Sequence, residues 1–403
     1  MSVPLPEGEG RPEPRARVAG PRALSRAARI GAPIGAALFL AALYGLPLLS
    51  VAKNRLALGD PVYAARSLGP EAHSAAILVV AAALMIRALP SRRVALAAAG
   101  LLATALVVLV LGLGGAAADL VAGRPPAARA SLAAGAWIAL ALLVGGIVLS
   151  SRRTALPGLG AGIAAVVALV LSVAWRQGIL DGLSLAVEFR ARRGLVVAAI
   201  GEHLELAAGA LLLAGLGAVL LALWRRGQIV VEALVSGVQV VPAVALFGAL
   251  VALLSGLLRA APPLRDLGIG ALGATPAILG VSAYLLLPLW RGLNRALQAP
   301  DPAMLDAAAG LGLTRAQTLL RVRLPIGVPI LIGAVRVACV QSIGLATLGA
   351  LIGAGGLGRI VFDGMAQFAP DLILLGAIPI VALSLAVERV LGRAEAAARR
   401  RRA

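Results

Sequence analysis

Long apolar runs separated by short polar segments dominate the pattern of this chain. A helix needs about 20 residues to cross the hydrocarbon core of a bilayer. Runs of this kind occur ten times, at residues 31–51, 74–90, 95–117, 131–150, 157–175, 203–224, 229–257, 268–290, 327–350 and 371–391. The pattern therefore predicts an all-α polytopic membrane protein with about 10 transmembrane helices.

Composition supports this class of protein and excludes others. Hydrophobic residues make up 60% of the 403 residues, well above their share in soluble domains. The net charge of +19 is typical of nucleic-acid-binding proteins, but most arginines lie in short connections between apolar runs, where they set membrane orientation. We therefore expect no nucleic acid partner. The single cysteine, Cys339, excludes an intramolecular disulfide.

The positions of paired arginines predict a topology. Connections that carry such pairs are expected on the cytoplasmic side, and they include Arg92-Arg93 and Arg152-Arg153. This placement puts residues 52–73 and 118–130 on the outer side of the membrane. Both termini are then cytoplasmic.

The same map divides the chain into five parts. They are a disordered basic cytoplasmic tail (1–30), an N-terminal extension of about five transmembrane helices (31–175), an extracytoplasmic linker (176–202), a five-helix core (203–393) and a basic cytoplasmic tail (394–403). Within the linker, residues 183–193 are predicted to form an amphipathic helix. The two halves of the chain show no internal repeat, which disfavours an internally duplicated carrier.

A polar island at residues 305–325 interrupts the apolar core. It opens with Asp306-Ala307-Ala308, and Gly312 suits a tight turn because glycine adopts left-handed geometry at little cost. Thr314 can cap a second helix, and Pro325 is expected to stop or bend the chain before the next span. The island therefore predicts a helix–turn–helix at the membrane surface, available to a soluble partner. The alternative is an ordinary amphipathic connection between two spans.

The spacing of this island resembles the "EAA" coupling loop of ABC importer permeases. The residues that carry the resemblance are Asp306, Ala307, Ala308, Gly312, Val322, Leu324 and Pro325. Asp306 stands where that family usually has glutamate. The resemblance implies that a cytoplasmic loop over residues 300–326 docks on a separate ABC ATPase subunit.

Other segments of the second half are similar to permeases of glycine betaine, carnitine and choline importers, and less closely to methionine importer permeases. They are Glu202-His203-Leu204, Gln239-Val240-Val241-Pro242, residues 286–291, Gly333-Ala334-Val335-Arg336, residues 346–350 and residues 352–358. The first half, with Lys53-Asn54-Arg55-Leu56, resembles the extended Yeh-type osmoprotectant importers. The resemblance implies a multi-pass protein of the bacterial inner membrane, a second permease subunit and an extracytoplasmic solute-binding protein.

Two groups of residues within the spans are candidate transport elements. Polar side chains at membrane depth cost about 2.5–3.5 kcal/mol when ionised, which makes a functional role the default hypothesis. The candidate translocation path comprises Gln239, Pro242, Arg336 and Gln341. The alternative is that Arg336 packs against a carbonyl or carboxylate of a neighbouring helix and Gln239 makes a helix–helix hydrogen bond. Gly353, Gly355, Gly356 and Gly358 form a candidate outer gate, or else simply allow close packing or a re-entrant bend.

The chain offers no catalytic or cofactor motif of its own. Residues 268–273 and 353–358 both fit G-x-G-x-x-G, but neither follows a strand in a βαβ unit. The sole lysine, Lys53, lies outside any phosphate-binding loop, so ATP and Mg are expected on the partner ATPase. His73 and His203 have no metal-ligand spacing. We therefore predict a transport subunit and not an enzyme, with no catalytic residues, metal or bound cofactor.

The predicted function is the permease subunit of an ABC importer for glycine betaine or a related quaternary-ammonium osmoprotectant. Aromatic residues, which usually bind such cations, make up only 3% of the chain, so a separate binding protein is expected to select the solute. One alternative is a methionine-type or other amino-acid permease. An ion-coupled secondary carrier would require intramembrane carboxylates and repeats, and a membrane enzyme or sensor would leave the spacing of Asp306 to Pro325 unexplained.

Overall fold

Helices form almost all of the regular structure. The computed structural model describes residues 21–54, 57, 59–89, 91–224 and 227–400. Within these ranges, 10 helices are long and apolar enough to cross a membrane, which confirms the predicted class and number of spans. The chain divides into two compact units, unit 1 (Met1–Val187) and unit 2 (Glu188–Ala403).

Unit 1 is a helical bundle with a small sheet. Its elements are α1 (Pro21–Gly45), β1 (Leu49–Ala52), β2 (Asp60–Val62), α2 (Ala64–Ser67), α3 (Pro70–Ala88), α4 (Arg92–Val121), β3 (Arg129–Leu132), α5 (Ala134–Arg153) and α6 (Leu159–Arg176). Helices α1, α3, α4 and α5 pack against one another. Phe39, Leu43, Leu109 and Leu143 are fully buried between them, so the apolar runs meet along one core.

The sheet was not predicted. Its strands lie in the antiparallel order β2-β1-β3, with Leu49 opposite Leu132 and Val51 opposite Ala130. Leu183 forms a bridge with Ala130 on the other side of β3. The strands have only three or four residues each, too short for hydropathy to separate them from loops. The pairing of the strands brings together connections between helices. The topology predicted from the paired arginines puts these connections on the same side of the membrane.

The helix boundaries differ from the predicted domain map in three places. Helix α1 begins at Pro21, so residues 21–30 are helical rather than a disordered tail; residues 1–20 lie outside the described ranges. Helix α15 (Pro370–Arg400) includes the start of the predicted basic tail, so residues 394–400 are also helical. In both places the charged residues extend a helix beyond its apolar run, which hydropathy alone does not reveal.

The third correction concerns the linker expected at 176–202. Helix α7 (Ser184–Leu223) covers most of it, including the amphipathic helix predicted over 183–193. The backbone at Arg192 departs from helical geometry, with φ −120° and ψ 17°. The Arg192 guanidinium pairs with the Glu188 carboxylate one turn earlier. Helix α7 is therefore kinked at Arg192, which separates the charged residues 184–191 from the apolar span that follows.

Unit 2 contains the remaining helices. They are α7, α8 (Gln228–Val240), α9 (Ala243–Ala260), α10 (Ala274–Leu297), α11 (Pro302–Gly310), α12 (Arg315–Thr318), α13 (Leu324–Ala346), α14 (Gly356–Ala366) and α15 (Pro370–Arg400). A 3-10 turn follows α9 at Pro262–Arg265, and another follows α13 at Thr347–Ile352. A π turn at Leu319–Arg323 joins α12 to α13.

The apolar run predicted as one span at 229–257 is two helices. Val241 has extended geometry, with ψ 129°, and Pro242 is the N-cap of α9. Proline lacks an N–H group and disfavours helical geometry in the residue before it. Helix α8 therefore ends at Val240, and the predicted single span is broken at Val241-Pro242.

Small residues let α10 and α13 approach closely. A Cβ atom placed at Gly292 would overlap the Cβ of Ala334, and one placed at Gly327 would lie 2.6 Å from the carbonyl oxygen of Ala296. Close backbone approach at small residues is a main source of attraction between helices in membranes. These two points fix the separation of α10 and α13 near their ends at the polar island.

We expect Gly292→Val to destabilise unit 2 by about 1–3 kcal/mol, because the added methyl groups must push the two helices apart. Gly248→Val in α9 is the matched control, since a Cβ at Gly248 meets nothing within 4 Å. Thermal unfolding of the purified chain in detergent should show a lower midpoint for the first variant only. Equal midpoints would contradict the close approach of α10 and α13.

Candidate functional site

The polar island forms the predicted helix–turn–helix. The Asp301 carboxylate caps α11 by accepting from the Ala303 N–H at 3.1 Å. Gly312 makes the turn with φ +72°. Thr314 and Gln317 then form a reciprocal capping box, in which Oγ1 of Thr314 accepts from the Gln317 N–H and Oε1 of Gln317 accepts from the Thr314 N–H, at 3.3 and 2.8 Å.

The loop is bound directly to both of its neighbouring helices. Pro325 lies in the first turn of α13, so the chain runs on through the π turn and does not stop there as expected. Proline is tolerated in a first helical turn because the missing N–H would have no partner there. The Arg323 guanidinium donates to the Leu297 carbonyl at 2.6 Å. The loop is therefore joined to the end of α10 by this bond as well as by the chain, and it runs directly into α13.

The surface of the loop is largely exposed. Of the residues with the coupling-loop spacing, Asp306, Ala307, Gly312 and Pro325 are exposed, Val322 and Leu324 are half-buried, and Ala308 is buried. Four large apolar side chains of the loop are also exposed: Met304, Leu311, Leu319 and Leu320, the second of them by 81%. Apolar side chains presented together on a polar loop are typical of a protein-binding surface.

A cavity of about 430 Å³ lies between α8, α10 and α13. It is lined by Gln239, Leu287, Pro288, Arg291, Gly292, Arg295, Ile330, Gly333, Ala334, Val337 and Gln341. The structure therefore brings together Gln239 and Gln341 of the candidate path, while Pro242 is not among these lining residues. None of these residues is aromatic.

Polar contacts join α8 to α10 beside the cavity. The Gln239 amide donates to the Tyr284 carbonyl at 2.9 Å, and the Tyr284 hydroxyl donates to the Val241 carbonyl. The Arg291 guanidinium contacts the Glu232 carboxylate at 2.9 Å and the Ser236 hydroxyl at 3.1 Å. These bonds satisfy polar groups that would otherwise be costly in lipid.

Sequence reasoning missed Arg291 and Arg295 as cavity residues. They lie at the boundary of a predicted span, where arginine is ordinary. Their separation by four residues places both on one face of α10. That spacing is the signal that could have grouped them with the cavity.

Arg336 lies apart from the other candidate path residues. Its guanidinium forms ion pairs with Glu388 at 2.8 Å and Glu395 at 3.2 Å, both on α15. Glu395 also pairs with Arg399 at 2.7 Å. Arg336 is not a lining residue of the cavity, and its contacts are those of the alternative in which it packs against a carboxylate of a neighbouring helix.

The candidate gate is a glycine-rich turn between the second 3-10 segment and α14. Gly353, Gly355 and Gly356 have φ of +82°, +81° and +70°, a region costly for other residues. A Cβ at Gly358 would overlap the Thr347 carbonyl oxygen. The glycines are thus required by backbone geometry and packing.

Glu202 and His203 hold this turn. A Glu202 carboxylate oxygen accepts from the Gly356 N–H at 2.8 Å, at the N-terminus of α14, where negative charge is favoured. The buried His203 ring donates from Nε2 to the Ile343 carbonyl at 2.9 Å. Both residues were noticed only as family landmarks, because the Glu202 bond spans 154 positions.

The two G-x-G-x-x-G patterns lie side by side. The Gly273 N–H donates to the Ile352 carbonyl at 2.8 Å, and Gly273 itself has φ +88°. The glycines of residues 268–273 thus serve the turn that leads into α10. The patterns form paired turns at the ends of spans.

Comparison with known families follows the same division of the chain. Residues 28–186 match a family described as "ABC transporter permease YehY, N-terminal domain". Residues 210–400 match "Binding-protein-dependent transport system inner membrane component". The gap between the two matches contains the boundary between unit 1 and unit 2.

Three individual proteins illustrate the similarity. The carnitine transport permease protein OpuCB of Listeria monocytogenes is 39% identical over 32% of this chain and 58% of its own length. The glycine betaine/carnitine/choline transport system permease protein OpuCD of Bacillus subtilis is 31% identical over 44% of this chain and 72% of its own length. A solved structure of the MetNI methionine ABC transporter covers 52% of this chain and 98% of its own, with 19% identity and a TM-score of 0.45.

We expect Glu202→Ala to loosen the glycine turn, because it removes a charged acceptor whose hydrogen bond is worth about 1.5–3 kcal/mol. The measurement is the rate of maleimide labelling of Ala354→Cys in a Cys339→Ser background, using the purified chain in detergent. Labelling should be about tenfold faster in the Glu202→Ala variant.

The control for this experiment is Glu205→Ala, which removes a carboxylate from an exposed position in the same helix. Its labelling rate should equal that of the parent. Equal rates in the Glu202 and Glu205 variants would show that Glu202 does not hold the turn.

Proposed function

This chain belongs to the family of binding-protein-dependent transport system inner membrane components, and we propose that it is the membrane-spanning permease subunit of an ATP-driven importer. ATP and Mg bind a separate ABC ATPase. The chain lies in a bacterial inner membrane with both termini cytoplasmic, as the positions of its arginines favour.

The observation that carries the proposal is the attachment of the exposed loop to the walls of the cavity. One end of the loop follows α10 and the other continues into α13. These two helices supply most of the lining of the 430 Å³ cavity. When the ATPase subunits close, they displace α11 and α12, and α10 and α13 move together relative to α8, which supplies the remaining wall of the cavity. In this way ATP binding by the ATPase subunits changes the access of the solute to the cavity.

The residues of the loop have distinct parts in this coupling. Asp306 and Ala307 are exposed for contact with the ATPase, and Leu311 supplies an apolar anchor. Gly312 sets the angle between α11 and α12. Val322, Leu324 and Pro325 join the loop to α13. Ala308 is buried, and its small side chain lets α11 pack closely against its neighbours.

The transported solute is glycine betaine or a related quaternary-ammonium osmoprotectant. The proposal rests on relatives whose names specify carnitine, choline and glycine betaine. The cavity offers glutamine and arginine side chains and no aromatic cage among its lining residues. Such a lining suits passage of a small solute better than tight binding of a cation. An extracytoplasmic binding protein therefore provides selectivity.

A second permease subunit completes the path. Gln239 is exposed on the outside of the chain although it lines the cavity. Its amide nitrogen is bonded to the Tyr284 carbonyl, but a polar side chain that still faces lipid is costly, so we expect another chain to cover this face. An identical copy or a paralogue would place a second set of glutamines opposite the first.

The glycine turn at residues 353–358 forms the outer gate. It is held by the Glu202 carboxylate and seated on the buried His203. The left-handed backbone of its glycines lets the turn change shape without a side chain obstructing it. Its movement accompanies that of α13, whose carbonyl at Ile343 is bonded to His203.

The first test is co-purification of the tagged chain with the ATPase subunit encoded in the same genome. The two proteins should purify together and hydrolyse ATP, and Leu311→Glu should abolish the association by burying a charge in the interface. Leu267→Glu is the matched control, because Leu267 is also exposed but lies in the connection before α10. A chain that purifies alone and transports solute in vesicles on an ion gradient would instead be a secondary carrier.

We also expect Gly312→Val to reduce ATP-driven uptake of glycine betaine in vesicles by about tenfold, because φ +72° costs a branched residue roughly 1–2 kcal/mol. Gly312→Asn should retain most of the activity, since asparagine tolerates left-handed geometry. Both variants should reach the membrane in normal amounts. Equal uptake by the two variants would contradict the role of this turn in coupling.

A further inference from the structure

Unit 1 contains an apolar cavity that the transport proposal does not use. It lies between α1, α3, α4 and α5 and has a volume of about 350 Å³. Its walls include Phe39, Ile86 and Leu143, and small residues line it along α1, among them Gly31 and Gly35. A Cβ placed at either glycine meets nothing within 4 Å, so these positions border open space.

The cavity opens to the surface of the bundle. Leu149, which lines it, is exposed over 57% of its area. Protein interiors are otherwise close-packed, with few voids larger than a water molecule. Since the helices around it span a membrane, an apolar opening of this size is in contact with lipid acyl chains.

The depth of the cavity matches one leaflet. Along α5 its lining runs from Ala141 to Arg153. At a rise of 1.5 Å per residue this distance is about 18 Å, and half of a 30 Å hydrocarbon core is about 15 Å. One acyl chain would therefore extend from the end of the bundle to near its middle.

The polar end of the cavity is formed by Ser150 and Arg153. This end of the bundle comprises the starts of α1 and α4 and the ends of α3 and α5, because the opposite ends lead into the sheet. It also carries a group of further arginines: Arg29, Arg87, Arg92, Arg93 and Arg152.

The acidic residues that the structure describes in unit 1 all lie at the other end of the bundle. The carboxylates that the structure describes there are Asp60 in β2, Glu71 in the first turn of α3, Asp119 in the last turn of α4 and Asp181. A Cβ at Gly182, next to Asp181, would overlap the backbone of Ala118, which places Asp181 near the end of α4. The mouth of the cavity therefore carries positive charge that these carboxylates do not neutralise.

We propose that this cavity binds an acidic phospholipid of the surrounding membrane, with one acyl chain between α1 and α5 and the phosphate at Arg153. Basic pockets between transmembrane helices are suited to anionic lipid headgroups. The orientation rule alone explains arginines at this end, but it does not require a deep apolar cavity that ends at one of them.

The test is native mass spectrometry of the full chain, purified in detergent, delipidated and then incubated with phosphatidylglycerol or phosphatidylcholine. The wild type should retain one phosphatidylglycerol and much less phosphatidylcholine. Gly35→Leu fills the cavity and should abolish retention, and Gly31→Leu provides a second cavity-filling variant. Arg153→Gln should weaken phosphatidylglycerol binding about fivefold.

Two controls match these changes. Gly100→Leu adds the same side chain in α4 at a position where a Cβ meets nothing within 4 Å and which does not line the cavity. Arg124→Gln removes the same charge from the connection between α4 and β3. Retention equal in the wild type and both cavity-filling variants would overturn the proposal, as would equal binding of the two lipids by the wild type.

Discussion

The close approach of α10 and α13 is the constraint on which unit 2 depends. In lipid, helices gain no hydrophobic energy from each other, so they associate where small residues let their backbones meet. Gly292 against Ala334 and Gly327 against Ala296 provide that contact. The coupling loop begins at the end of one of these helices and ends at the start of the other. Because the two helices are in contact near the loop, neither can move there without the other.

Polar groups are placed where partners are available. Arg336 is held by Glu388 and Glu395, so an arginine within a span needs no role in the path to be tolerated. Gln239 bonds to the Tyr284 carbonyl and still lines the cavity. The difference between these residues is one of helix face: Arg336 lies toward α15, whereas Gln341 on the same helix lies toward α8 and α10.

Unit 1 shows a different arrangement, in which charge is divided between the two ends of a bundle. The sheet gathers two connections at one end, where the described acidic residues are accompanied by Lys53, Arg124, Arg129 and Arg176, whereas the charged residues described at the other end are all arginines. Such a division orients the bundle in a membrane. It also leaves an apolar cavity that opens beside positive charge, a combination that the transport mechanism of unit 2 does not require.

Local patterns in the sequence determined much of this protein. The number of spans followed from apolar runs, because each helix must satisfy its own backbone in lipid. The helix–turn–helix followed from Gly312 and Thr314, since left-handed geometry and capping involve neighbouring residues only. The break at Pro242 was not predicted, because the apolar run continues across the proline from 229 to 257.

Only the tertiary structure decided which of these residues meet. The Glu202 carboxylate at Gly356, the pairing of Arg336 with α15 and the adjoining glycine turns all join positions far apart in the chain. Hydropathy gives the depth of a residue in the membrane but not the direction in which its side chain points. That direction depends on helix rotation, which is fixed by packing against neighbouring helices. For this reason the candidate path could be named from sequence, but its separation from Arg336 could not.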